Sequence, residues 1–171
     1  KRFADHDTIS SEVTPHNLLL TNEDAERLGP YGAVIPPLRS DADCAALQSA
    51  LRDGTIDIVA TDHAPHLRAE KERGRDDIWQ VAPGLPGVQT FAAIMRALAD
   101  QGALSLQDIA RTCAEQPARL FGLYPRKGTL AVGSDADLVI IDPNSSTTIT
   151  DDDQLSKAGW TPFAGLTTPG C

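Results

Sequence analysis

Apolar positions change their spacing several times along this chain, and the sharpest change falls in residues 56–66. Four of the first five positions there, Ile56, Ile58, Val59 and Ala60, are apolar, and three of those are β-branched, which predicts a buried strand. The polar run Thr61-Asp62-His63 follows, and Pro65 prevents the strand from continuing. The polar cluster therefore lies at the strand's C-terminal mouth. In α/β folds ligands bind at that end, so Asp62 and His66 are the first functional candidates.

Upstream, residues 8–14 alternate weakly as a β-prone segment that Pro15 ends, and His16-Asn17 and the apolar Leu18-Leu19-Leu20 come next. Thr21 and Asp24 have the spacing of a helix cap before a short turn through Arg27, which Gly29-Pro30 closes. Residues 33–39 read as extended, because a residue preceding proline is pushed out of the helical region. Ser40 and Asp43 form a capping box that opens a helix with Cys44, Leu47 and Leu51 on one face and Gly54 as its stop. Strand, loop and helix alternate as in a βα unit.

Downstream, residues 68–77 are almost wholly charged and read as a solvated loop or short helix over the strand's mouth. The glycine- and proline-rich residues 82–87 follow, where backbone can approach a ligand without Cβ interference. Phe91, Ile94, Met95 and Leu98 repeat at helical spacing within residues 88–100, and Gly102 ends that helix. Ser105 with Asp108 caps another running through Ile109 and Cys113, and Pro117 starts a further helical turn to Leu120. The last third changes character. Residues 128–133 read as a strand and turn and residues 136–143 as a strongly β-prone strand, which together predict a small β subdomain. From Asn144 onward the chain reads as surface.

Composition bounds what the strand-end cluster can serve. With 171 residues, 41% apolar and 23% charged, the chain has the make-up of an ordinary globular protein. A formal charge of −9 and no basic cluster argue against nucleic acid or an anionic membrane as partner and favour a small-molecule substrate. Cys44, Cys113 and Cys171 are odd in number and lack CxxC spacing, which argues against a disulfide framework or thiolate zinc site and for a reducing compartment. No apolar run reaches the ~20 residues of a membrane span, and the N-terminus carries no signal-peptide core, so a cytoplasmic location is expected. The absence of an initiator Met suggests a piece of something longer.

A carboxylate at a strand end can ligate a divalent metal through one oxygen and accept a proton from water through the other. His66, four residues beyond Asp62, is placed to hold a substrate's charged or carbonyl group. The same residues also suit a turn cap and hydrogen-bonded histidines, and zinc needs three or four protein ligands. His6 and His16 are the only histidines outside the cluster, and His6 sits in a charged, structurally featureless opening.

Several blocks taken together resemble the cyclic amidohydrolases, most closely the dihydroorotases of the long bacterial and archaeal type. They are EVTPHNLLL (12–20), PPLRS (36–40), GTIDIVATDHAPH (54–66), GLPGVQT (84–90), PARLFGL (117–123) and KGTLAVGSDADLVIIDP (127–143), in family order. The resemblance implies α/β architecture: the C-terminal part of a metal-dependent TIM barrel, with its last two strands and following helices, plus strands of a small β-sandwich. Residues 1–125 would belong to the barrel and 126–171 to the sandwich segment and tail. Glu12 to Thr14 would fall in barrel strand seven and Ile56 to Thr61 in strand eight.

By the same resemblance Asp62 is the strand-eight metal ligand and catalytic residue, shuttling a proton between attacking hydroxide and ring nitrogen. His66 matches the substrate-contacting histidine, and Pro83 and Gly84 match the backbone loop that meets the substrate's ring. The family's cofactor is a binuclear zinc centre whose other ligands have no counterpart in this chain. The activity implied is zinc-dependent opening or closing of a cyclic amide C–N bond, dihydroorotate and carbamoyl aspartate in pyrimidine biosynthesis, by a full-length protein that is a homo-oligomer. The isolated piece would be inactive. Two positions depart from the pattern: Ile35 stands where dihydroorotases have Asn before PPLR, and His16-Asn17 stands for His-His. The segment around residues 143–153 resembles allantoinases. An allantoinase or hydantoinase, a catalytically inactive amidohydrolase-like subunit that supports assembly, and a free-standing α/β binding module are the alternatives.

Overall fold

Val13 and Val59 lie side by side at the centre of the computed structural model, which describes residues 9–169. Strand β1 (Glu12–Val13) pairs in parallel with β2 (Ile58–Val59), Glu12 opposite Ile58 and Val13 opposite Val59. Both strands are shorter than their β-prone runs. A ladder needs partners, and among the described residues each has a neighbour on one side only. Serine 11 ties the approach: its N–H and hydroxyl both donate to Asp57 Oδ2, at 2.8 and 3.2 Å.

Parallel neighbours require a crossover, and three helices make it. Helix α1 (Pro15–Leu19) is capped by the Thr14 hydroxyl, which accepts from Asn17 N, and has Pro15 in its first turn, where a missing N–H costs nothing. Helix α2 (Asn22–Leu28) and helix α3 (Asp41–Arg52) both carry the reciprocal capping boxes that Thr21/Asp24 and Ser40/Asp43 predict. Cys44 and Leu51 on α3 are buried, Leu47 packs against the core, and Gly54 takes the left-handed conformation that stops the chain (φ 78°).

After β2 come helix α4 (Arg68–Glu72), a 3₁₀ turn (Ile78–Gln80) and helix α5 (Phe91–Asp100), whose Ala93, Ile94, Met95, Ala97 and Leu98 are buried. Helix α6 (Leu106–Ala110) begins at the Ser105/Asp108 capping box and runs through a π-turn (Arg111–Glu115) into α7 (Gln116–Leu120). The wider i→i+5 turn accommodates Pro117, which has no N–H to offer an α-helical ladder. Cys44 and Cys113 are free thiols, while His6 and Cys171 lie outside the described residues.

The last third differs from its sequence pattern. Residues 128–133 form bends and a turn, and residues 136–142 have no regular structure and no strand partner, with Leu130, Val132, Leu138, Val139 and Ile140 exposed. A β-prone run supplies half a ladder, and no strand among the described residues supplies the other half. The expected surface tail, in contrast, folds inward. Strand β3 (Ser146–Thr148) pairs antiparallel with β4 (Thr167–Pro169), and between them Ile149, Ala158, Trp160 and Phe163 join the core containing Val13, Leu18, Val59, Ile94 and Leu98. The architecture is mixed α/β, with one parallel and one antiparallel strand pair and no closed barrel among the described residues.

Candidate active site

Beyond β2 the chain turns sharply at Asp62, whose φ of 46° makes it the one non-glycine residue among those described with left-handed backbone. Aspartate tolerates that region better than most residues, yet such strain persists only where surroundings enforce it, and it clusters at functional sites. The enforcement is visible. His63 bridges to Leu85, Ala64 N–H donates to the Leu85 carbonyl at 3.0 Å, and His63 Nδ1 accepts N–H bonds from Gly87 (3.0 Å) and Val88 (3.3 Å). Accepting twice, Nδ1 carries no proton, so the neutral ring is protonated on Nε2. The strand-end residues are thereby laced to residues 84–88.

His66 Nε2 lies 3.0 Å from the Pro83 carbonyl oxygen and donates to it; Nδ1 is 3.9 Å from Glu70 Oε2. Gly84 is required here for two reasons. Its φ is 136°, and a Cβ would lie 2.5 Å from Ala64 Cβ and 3.2–3.3 Å from the His66 ring. Gly84 N–H donates to the Ala33 carbonyl at 3.0 Å. The second lone pair of Pro83 O and the Nδ1 edge of His66 remain as polar groups facing a ligand of matching polarity. The structure thus brings His66, Pro83 and Gly84 together and places Asp62 exposed at the neighbouring turn.

His16, on α1, is buried and sits within the field of Asp62. Burial pushes its pKa down to about 4 against the opposing pull of the Asp62 carboxylate, which makes it a neutral imidazole at pH 7. Its neighbour Asn17 leaves Oδ1 buried without a partner.

Two residues of this region escape the sequence pattern. Lys71, inside the charged run, is 0% exposed, and its ammonium donates to three carbonyls, Ala33 (3.0 Å), Ala82 (3.0 Å) and Gly84 (3.2 Å). Trp160, from the tail, donates its indole N–H to the His66 carbonyl at 2.8 Å and stacks edge-on against Tyr31 with centroids 5.0 Å apart. Arg68 holds the same tail through Asp151 Oδ2 and the Gly159 carbonyl, both at 2.6 Å. Trp160 and Phe163 as two aromatics within four residues were a signal of burial; nothing in the charge pattern distinguishes Lys71 from its neighbours.

A model of the amidohydrolase family matches residues 5–169, nearly the whole sequence. The chain belongs to the amidohydrolase family. Its relatives include a dihydroorotase of Halobacterium salinarum, 48% identical over 90% of this chain and 36% of the relative, and an L-hydantoinase of Paenarthrobacter aurescens, 39% identical over 95% and 36%. Among solved structures, an L-hydantoinase (dihydropyrimidinase) from Arthrobacter aurescens superposes with a TM-score of 0.90 at 39% identity, over 95% of this chain and 36% of that one. The chain therefore spans about a third of the length of the amidohydrolases it matches. A mixed α/β piece of that extent is consistent with part of a metal-dependent TIM barrel.

Metal binding in such a site has to be weighed against the donors present. Among the described residues no three His, Cys, Asp or Glu side chains come together as a cation site, whereas zinc takes three or four protein ligands. The exposed Asp62 carboxylate fits the role of a single donor to a divalent cation, and the described residues bring no further donors beside it. No helix of the described residues is long and apolar enough to cross a membrane.

Proposed function

We propose that this chain is the C-terminal part of a zinc-dependent cyclic amidohydrolase, dihydroorotase-like, that opens or closes the C–N bond of a ring amide, interconverting dihydroorotate and carbamoyl aspartate in pyrimidine biosynthesis. The carrying observation is a strained Asp62 at the C-terminal end of β2, beside a loop stitched to it through His63, Ala64 and His66. Residues 1–125 are the barrel portion in this reading and 126–171 the sandwich segment and tail. A small cyclic amide as substrate, a cytoplasmic setting and a homo-oligomeric full-length enzyme complete it.

Asp62 would supply one donor to the zinc and keep an oxygen for proton transfer. Zinc, when bound, supplies Lewis-acid polarisation of the ring carbonyl and acidifies water. In the hydrolytic direction a C–O bond forms at the ring carbonyl carbon while its C–N bond breaks. Asp62 accepts the proton released by the attacking water and returns it to the departing nitrogen. His66 and the Pro83 carbonyl orient the ring, and Gly84 lets Ala64 and the His66 ring pack against the loop where any Cβ would block them.

A second reading rests on Ile35, which is 72% exposed and lies two residues from the Ala33 carbonyl that anchors Gly84. A branched alkyl group there favours a ring with an apolar substituent, as in hydantoins, over one bearing a carboxylate. Turnover of dihydroorotate, hydantoins and allantoin by the zinc-loaded full-length parent separates the readings. Asp62→Asn is expected to lower turnover by about 10²–10⁴-fold on whichever ring is used. A zinc-loaded parent that hydrolyses no cyclic amide, or an Asp62→Asn variant at full rate, overturns the assignment.

A further inference from the structure

Among the described residues Lys71 is the one lysine, arginine, aspartate or glutamate that is buried, and it makes no ion pair. An ammonium has three N–H donors, and Lys71 spends one on each of three backbone carbonyls. Its remaining face meets the Trp160 ring, with Nζ 5.5 Å from the ring centroid. The acceptors come from two separate segments. Ala33 belongs to the extended stretch that carries Ile35, and Ala82 and Gly84 flank Pro83.

We propose that Lys71 is a positioning residue of the site: its ammonium joins residues 33–35 to residues 82–84 and so sets where Pro83 O and the loop beneath it stand relative to Asp62 and His66. The inference deepens the cyclic amidohydrolase reading and rests on it for its kinetic consequences.

A buried cation is costly, and burial alone pushes Lys71 down to about 8. An apolar side chain of similar length would fill the same space without that cost. What it would lack is the ability to gather three carbonyl oxygens at one point, and two of those carbonyls point to either side of the residue that accepts from His66. With Ala82 O and Gly84 O turned toward Nζ, the Pro83 carbonyl between them is left for His66 and the ring. Trp160 closes the arrangement by donating to the His66 carbonyl while covering the ammonium, so one tail residue backs both partners.

Lys71 touches neither Asp62 nor the reacting bond, and its loss displaces the groups that hold the ring in ground and transition state alike. In the full-length parent, Lys71→Met is expected to raise KM by about tenfold or more while kcat per zinc-loaded site stays within about threefold. Hydrogen exchange at the Gly84 and Gly87 amides accelerates by about tenfold while α5 is unchanged. Lys71→Gln, which keeps two N–H donors on a shorter arm, falls between the two on both measures, and decides the matter if Lys71→Met does not fold. Wild-type KM together with wild-type exchange in a folded variant overturns the proposal. So does a fall in kcat at unchanged KM in proportion to lost folded protein. Exchange needs no substrate, so it reports on Lys71 even if the parent turns over no cyclic amide, a failure that would count against the functional reading instead.

Discussion

Asp62 combines the carboxylate that the proposed chemistry needs with a backbone conformation that a glycine would hold more easily. At φ 46° any Cβ carries a penalty, of order 1 kcal/mol for most residues and less for aspartate. Asp62→Gly in the metal-free parent is therefore expected to be at least as stable as wild type, and Asp62→Ala less stable than Asp62→Gly by about 0.5–1 kcal/mol, with both inactive. Urea midpoints and turnover check this, and an Asp62→Gly variant well below Asp62→Ala in stability would show that the turn is held by the carboxylate instead. His16 bears on pH. Its folded pKa of about 4 lies below the ordinary 6.5, so the unfolded chain binds a proton that the folded chain refuses. Its stabilising contribution is present above pH 6.5 and lost as pH falls toward 4, to about 3 kcal/mol by 1.36 kcal/mol per unit. Replacing His16 by Asn should flatten the decline in unfolding free energy between pH 7 and pH 4. An equally steep decline in that variant would assign the acid sensitivity to other groups.

At the scale of elements, the loop of residues 82–87 is held in place from several sides. His63 and Ala64 hold one edge, Ala33 holds Gly84 N–H, and Lys71 gathers two of its carbonyls. Gly84→Ala drives a methyl to 2.5 Å from Ala64 Cβ at a φ of 136°, which costs about 1–3 kcal/mol and moves Pro83. An increased KM with a lowered urea midpoint is the expected result, and a variant with both unchanged would mean that the loop is not in this position when substrate binds. Caps were legible because they are local. Thr21/Asp24, Ser40/Asp43 and Ser105/Asp108 each need only a hydroxyl and a carboxylate three residues apart, and all three helices start there. The β-prone run of residues 136–143 is not a strand, because a ladder is a property of two segments and no second segment among the described residues pairs with it.

For the whole molecule, the proposed site needs more donors than the described residues supply. In the proposed reading Asp62 is a single metal donor, no group of three donors forms among the described residues, and Leu130, Val132, Val139 and Ile140 stand in solvent. The 171-residue chain made alone is expected to bind zinc well below one equivalent and to show no turnover. Metal analysis after dialysis and an amide-hydrolysis assay test this, and a tightly zinc-loaded, active chain would refute it.

Local chemistry alone determined the starts of α2, α3 and α6, the β2 strand, its abrupt end at a polar turn, and the candidacy of Asp62 and His66, because spacing along a few residues governs each of these. The family resemblance placed Pro83 and Gly84 in the same set. Only the tertiary structure decided that His66 donates to Pro83, that the acidic tail returns Trp160 to the His66 carbonyl, and that one lysine in a charged run is buried beneath the site. Those contacts join residues 17 to 94 positions apart. Which carbonyls a lysine finds depends on how several backbone segments are brought together, and no pattern of charge along the chain encodes that.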